Sequence, residues 1–334
     1  MALMGAGGHW TVMRGLNGTR MRVAVRSWMR RSTGWDVEYR KMRYGVCPLR
    51  LRLEGVRGSR GDRWEAEAAE IGASLDWESG EVREVWVCGP TVRMRTGTNA
   101  EGRPDWRGEL RRVARGWGKD FTVGRAWVRG GRFEALDATD KALWSVDGLE
   151  IETGALGWAH PLAAEVFCQF GSSTNTLRVE ANAGAPAEWA GQWRDWPVRL
   201  RAEALVNDLA AARGAFGNPP TGPLERPAAW LNCVGTPGYG VTVDGAFTDG
   251  PPFQTPWITI QWKGELHAGA DGLPEGELEV AVPLLSRDGE SWRNGGGAVR
   301  VAGGRAEGRV EAGPWAWEFK TGLRRREAPE EREE

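Results

Sequence analysis

The stretch Glu277-Leu-Glu-Val-Ala-Val-Pro-Leu-Leu285 alternates acidic or small residues with aliphatic ones. That period of two is the signature of a half-buried β-strand. Asp271-Gly272 precedes it and Asp288-Gly289 follows it, and such dipeptides supply the positive φ angles of tight hairpin turns. Outward from this stretch, apolar runs recur at Gly240–Val243, Trp257–Gly264, Ala298–Ala302, Gly308–Glu311 and Trp315–Lys320, with Asn294-Gly-Gly-Gly297 and Gly303-Gly304 between them. The pattern predicts an antiparallel meander. The expected fold class is mainly β with a few short helices, α+β being the alternative, arranged as an antiparallel sandwich or barrel.

The N-terminal half reads less evenly. Met21–Met29, Asp36–Tyr44 and Leu49–Leu53 alternate like strands, and Trp64–Ile71 places apolar residues at helical spacing before Gly72. A hairpin is expected for Glu81–Val87 and Thr91–Arg95 around Cys88-Gly89-Pro90, and a short helix for Gly108–Arg115. Further strands are expected at Thr122–Arg129, Leu149–Thr153, Glu165–Phe170, Leu177–Glu180 and Val198–Arg201. Ala202–Arg213, with Leu205 and Leu209 four apart, reads as the best helix of the chain. Four prolines between Gly217 and Pro227 exclude regular structure there. The expected organisation is therefore a β-rich domain over 1–216 with a basic first quarter, a Pro-rich linker or long loop over 217–228, an antiparallel β domain over 229–322, and a charged mobile tail over 323–334.

Charge is distributed unevenly. Residues 1–63 hold 14 Arg or Lys against 4 Asp or Glu, whereas residues 135–334 hold 18 against 29. A net charge of −1 over 334 residues thus conceals a basic start and an acidic remainder. The 20 tryptophans outnumber 8 Phe and 3 Tyr. Indoles on that scale either take the core role of other aromatics or serve interfaces and stacking sites.

Sites for known chemistry are scarce in the pattern. No phosphate-binding loop, dinucleotide fingerprint or nucleophile elbow occurs. Cys47, Cys88, Cys168 and Cys233 stand far apart, and His9, His160 and His267 have no second ligand at metal spacing, so no cofactor or metal is expected. Asp137 with Asp140, and Glu150 with Glu152, are the local carboxylate pairs that a glycosidase could use. The start lacks a secretion signal and no run reaches the length of a membrane span, so synthesis in the cytoplasm is expected.

These features suggest a structural, self-assembling protein rather than an enzyme, most concretely a virion component of a phage tail or capsid, forming a homo-oligomer or larger assembly. Arg22, Arg26, Arg50 and Arg52 are expected to line one exposed sheet face that meets acidic groups of another subunit. Trp189, Trp193 and Trp196, in the densest aromatic run, are expected to clamp a loop onto the body or a neighbour. The alternatives are a nucleic-acid-binding protein that uses the Arg-lined sheet on phosphates, and a carbohydrate-binding module or glycosidase.

Overall fold

The computed structural model describes residues 17–46, 49–76, 78, 81–95, 122–137, 139–140, 142–157, 160–185, 193–216, 225–250, 257–269, 273–287, 289–302 and 305–322. Strand dominates them, and the mainly β, antiparallel expectation holds. The described residues divide into two compact units. The first holds those up to Val179 with Ala185 and 208–216, and the second holds 180–184, 193–207 and those from 225 onward. The expected helix at Gly108–Arg115 and most of the Pro-rich segment lie outside the described residues.

The first unit opens with helix α1 (Thr19–Thr33), followed by β1 (Asp36–Val46), β2 (Leu49–Arg60), β3 (Trp64–Leu75), β4 (Val82–Cys88), β5 (Thr91–Arg95), β6 (Val123–Leu136), β7 (Ala142–Thr153) and β8 (Leu162–Phe170). Pairing is antiparallel from β1 to β3 and from β6 to β8. β4 and β5 each pair antiparallel with β3 and parallel with β6. They are therefore two halves of one interrupted strand, and the expected hairpin is corrected: Gly89-Pro90 kinks a strand rather than reversing it.

That kink belongs to a seam. Gly55, Gly89, Gly130 and Gly148 adopt φ of 60°, 57°, 64° and 55°, each where the ladder of its strand is interrupted at the same level. A left-handed residue of this kind makes a bulge and rephases the alternation beyond it. The apolar face thus stays on one side through residues three apart, such as Leu53 and Val56 on β2 or Ala68 and Ile71 on β3, which belong to one core with Val37, Tyr39 and Met42.

Two further expectations for this unit are corrected. Met21–Met29 lies in helix α1, not in a strand, because its i, i+4 pair Val25 and Met29 packs on the β1–β3 core. The strand-like alternation would have buried Val23 as well, yet Val23 is 60% exposed. Gly34, at φ 74°, ends the helix by donating its N–H to the Arg30 carbonyl, with Arg30 and Arg31 in the last turn where cations favour the helix dipole. Trp64–Ile71 lies in strand β3, because β2 and β4 offer it ladders on both sides and its Ala68 fills the sheet core. Tertiary pairing overrides the helical spacing.

β9 (Ser172–Ala183) leads out of the first unit. The second contains β10 (Val198–Leu205), β11 (Ala228–Thr236), β12 (Gly240–Asp249), β13 (Ile258–Ala268), β14 (Pro274–Arg287), β15 (Glu290–Ala302), β16 (Arg305–Ala312) and β17 (Trp315–Gly322). Each pairs antiparallel with the next, as the turn signals predict. Pro283, which has no N–H to donate, falls where the β13–β14 register shifts. The predicted helix Ala202–Arg213 is half wrong. Its first four residues end strand β10, whose exposure alternates strictly, and helix α2 (Leu209–Phe216) begins later, with the Asp208 carboxylate accepting the Ala211 N–H at 2.9 Å as an N-cap. α2 returns to the first unit, packing on β7 and β8. Fully buried Asn175 holds its start in place by hydrogen bonds to both backbone polar groups of Asp208.

Candidate interaction surface

The register of the first unit sets charged residues of opposite sign side by side on the face opposite the Val37, Tyr39 and Met42 core. Glu38, Arg57, Glu67, Thr91 and Arg132 form one cross-strand row, and Asp36, Ser59, Glu65, Arg93 and Glu134 form the next. Arg57 lies 3.4 Å from Glu67, Arg93 2.8 Å from Glu134, and Arg95 2.9 Å from Glu65. Arg132 reaches Glu134 at 2.7 Å and Asp147 at 3.3 Å. Arg26, Asp36, Glu38, Arg57, Glu65, Glu67 and Arg93 line a charged groove of about 410 Å³, with Arg132 and Glu134 next along the rows.

Electrostatics follow from the pairing. The hydrogen bond from Arg93 holds the Glu134 carboxyl below its ordinary value, assisted by Arg132 and opposed by partial burial. Its partner effect raises Arg93. Asp36 is lowered in the same way by the Arg26 hydrogen bond. Asp36 and Glu134, lowered, and Arg93, raised, are therefore charged at neutral pH, and the groove mixes both signs rather than presenting one.

On the same face, across the glycine seam, the row Arg52, Gly72, Trp86, Trp127, Glu152 runs over β2, β3, β4, β6 and β7. Trp86 and Trp127 stack at 6.2 Å with planes 17° apart. Arg52 sits over Trp86 at 5.8 Å and Arg129 over Trp127 at 4.8 Å. The indole N–H groups donate to Glu70 at 2.6 Å and Glu84 at 2.7 Å. Gly72 is required beneath this stack, because a Cβ there would fall inside the Trp86 indole.

The predicted arginines divide by environment. Arg22 and Arg26 lie on α1, where Arg22 donates to the Arg40 carbonyl at 2.8 Å and stands over the Tyr39 ring, and Arg26 pairs with Asp36 and Glu38. The single Arg-lined sheet is thus corrected, since only Arg50 and Arg52 of the four belong to a strand. Arg52 has Glu70 at 3.7 Å. Arg50 is exposed and has no partner among the described residues.

Trp189 lies outside the described residues. Trp193 begins a 3-10 turn, Trp193–Asp195, in the second unit. Arg194 ties that turn down, donating to the Gly269 carbonyl at 2.7 Å while its own carbonyl accepts the Gly238 N–H. Trp196 is half-buried, with its indole N–H buried and lacking an acceptor among the described residues.

The carboxylate candidates are engaged separately. Asp137 accepts the Thr139 N–H at 2.7 Å, Asp140 pairs with Arg95, and Glu152 pairs with Arg125 at 2.5 Å. His160 donates its backbone N–H to Gly157 in a turn, His267 lies 3.8 Å from Glu275, and His9 is outside the described residues. Among the described residues no three His, Cys, Asp or Glu side chains converge as a metal site, and no helix is long and apolar enough to cross a membrane. Burial raises the thiols of Cys88, Cys168 and Cys233, whereas Cys47 lies outside the described residues. Compared with known proteins, the chain matches no family model, no curated protein and no solved structure.

The groove residues Arg57, Arg93, Glu65 and Glu67 escape the sequence reading. A signal for them exists in Arg93-Met-Arg95 and Glu65-Ala-Glu67, where like charges two apart must share one sheet face.

Proposed function

We propose that this chain is a structural, self-assembling protein, a virion component in its most concrete form, that works through contacts between copies. The observation that carries the reading is the mixed-sign groove of the first unit. A face that mixes both signs is self-complementary in part: rotated onto a second copy, each arginine can meet a carboxylate. Its pairs are also available for exchange, since Arg57 and Glu67 retain 76% and 59% exposure. A polyanion is the poorer occupant, because phosphates would meet Glu38, Glu65 and Glu67 alongside the arginines.

Light scattering at two salt concentrations tests this. Screening contracts from about 10 Å at 0.1 M to about 3 Å at 1 M, so assemblies present in low salt should dissociate in high salt. Arg50→Glu, which breaks no intrachain pair among the described residues, should weaken assembly while leaving the melting temperature unchanged. A strict monomer at high protein concentration in low salt overturns the reading, as does assembly indifferent to both salt and Arg50→Glu.

A further inference from the structure

We infer that the second unit pairs with a second copy of this chain along the outer edge of β17, the two strands running antiparallel about a two-fold axis at Phe319. β17 ends the sheet of its unit: β16 pairs with it from Trp315 to Gly322 without a register shift, and no strand of the unit lies beyond it among the described residues. Such an edge presents a row of backbone N–H and C=O groups to any strand of matching pattern. β1, at the edge of the first unit, shows how this chain closes an edge. There the Asn17 amide donates to the Met42 carbonyl at 2.9 Å and its oxygen accepts the Met42 N–H at 2.7 Å, while Arg22 donates to the Arg40 carbonyl at 2.8 Å. Among the described residues Ala316 to Gly322 have no such cap, and β17 holds neither proline nor bulge.

Charge selects the partner. Glu318 and Lys320 stand on the solvent side of β17, 74% and 70% exposed, while Trp315 packs on the core side. Two copies joined by the same edge keep their apolar faces on one side only if β17 runs antiparallel to itself. The register centred on Phe319 then pairs residues 316–322 of each copy and sets Glu318 opposite Lys320 of the second copy, twice by symmetry. A slide of two residues either way sets Glu318 against Glu318 or Lys320 against Lys320, and a slide of one mismatches the faces. The register also continues a row of alternating sign: Arg300, Glu307 and Lys320 in one copy, then Glu318 and Arg309 in the next. An unrelated strand would need an acid and a base at the same spacing, which a second copy always carries. This inference rests on the reading that copies of the chain assemble, and gives the second unit a contact of its own.

Sedimentation equilibrium of the intact chain in low salt tests it, with Arg50→Glu present to weaken contacts through the charged face. An equilibrium of monomer and dimer should remain. Adding Glu318→Lys, which sets lysine against lysine, or Lys320→Glu, which sets glutamate against glutamate, should weaken the dimer roughly tenfold. The two changes together restore opposite charges across the contact and should return the original affinity. Melting temperature checks folding, which the exposed pairs of Lys320 with Glu307 and Glu318 with Arg309 hardly set. If Arg50→Glu leaves only monomers while the unaltered chain assembles, the edge contact is overturned and the assembly reading stands. A dimer indifferent to the single changes, or not restored by the pair, also overturns the edge contact. A strict monomer before any change overturns both.

Discussion

In the first unit the chain covers its own apolar face: α1 lays Val25 and Met29 on the core around Val37, Tyr39 and Val56. In the second, Val280, Val282, Val299 and Val310 form core with half-buried Ile258, Ile260, Trp262 and Leu278 packed against them from neighbouring strands. The opposite faces differ as well. The first unit bridges arginines to acids on neighbouring strands, while in the second Glu265 and Glu277, of like charge, stand directly opposite each other. Two units with the same alternation therefore expose different chemistry, the first a lattice of acids bridged by arginines and the second like charges set across β13 and β14.

Separate cores imply separate unfolding, and the largest expected effect exploits this. Val282 is 1% exposed in the core of the second unit. Val282→Asp would bury an unpaired carboxylate at a loss of more than about 4 kcal/mol. Differential scanning calorimetry should then show the transition of the second unit lost and that of the first retained. Loss of both together would show that the units unfold as one.

A smaller effect tests the tryptophan stack of the first unit. Gly72→Val forces the Trp86 indole off its strand, and overpacking of this kind destabilises by about 1–3 kcal/mol. Chemical denaturation should show that loss, and Trp86→Leu in the same chain should recover part of it, because the two residues share one contact.

The second unit was legible because each strand buries one face and Gly-rich turns separate them. Glu277–Leu285 and its neighbours needed only period two and turn chemistry. The first unit misled at Met21–Met29 and Trp64–Ile71, where both periods fit the same letters and long-range pairing decided between them. Arg50 was visible as an exposed charge. The groove was not, because Glu38, Arg57, Glu67 and Thr91 come from four strands whose register depends on a glycine seam that no local pattern announces.

The ion-pair lattice of the first unit makes a prediction about pH. Glu134 is only 15% exposed and accepts hydrogen bonds from Arg93 and Arg132. Its folded pKa lies below the ordinary value of 4.5, so its contribution is present above that value and is lost as pH falls through the depressed folded one. Urea midpoints should therefore decline on acidification below about pH 4.5, and Glu134→Gln, itself destabilising by about 1–3 kcal/mol, should shrink the decline.

The smallest effect belongs to the pairs that resemble this lattice without its burial. In the second unit Arg309 meets Glu311 at 2.6 Å and Glu318 at 3.3 Å, all three side chains being more than half exposed. Water screens such pairs and ordering two long side chains offsets the attraction. Arg309→Ala should thus shift stability by less than about 0.5 kcal/mol, although its 2.6 Å approach to Glu311 rivals the 2.8 Å of Arg93 to Glu134. A loss as large as that of Glu134→Gln would mean that partner number, not burial, sets the worth of these bridges, and the contrast between the two faces would then rest on counting neighbours rather than on the dielectric around them.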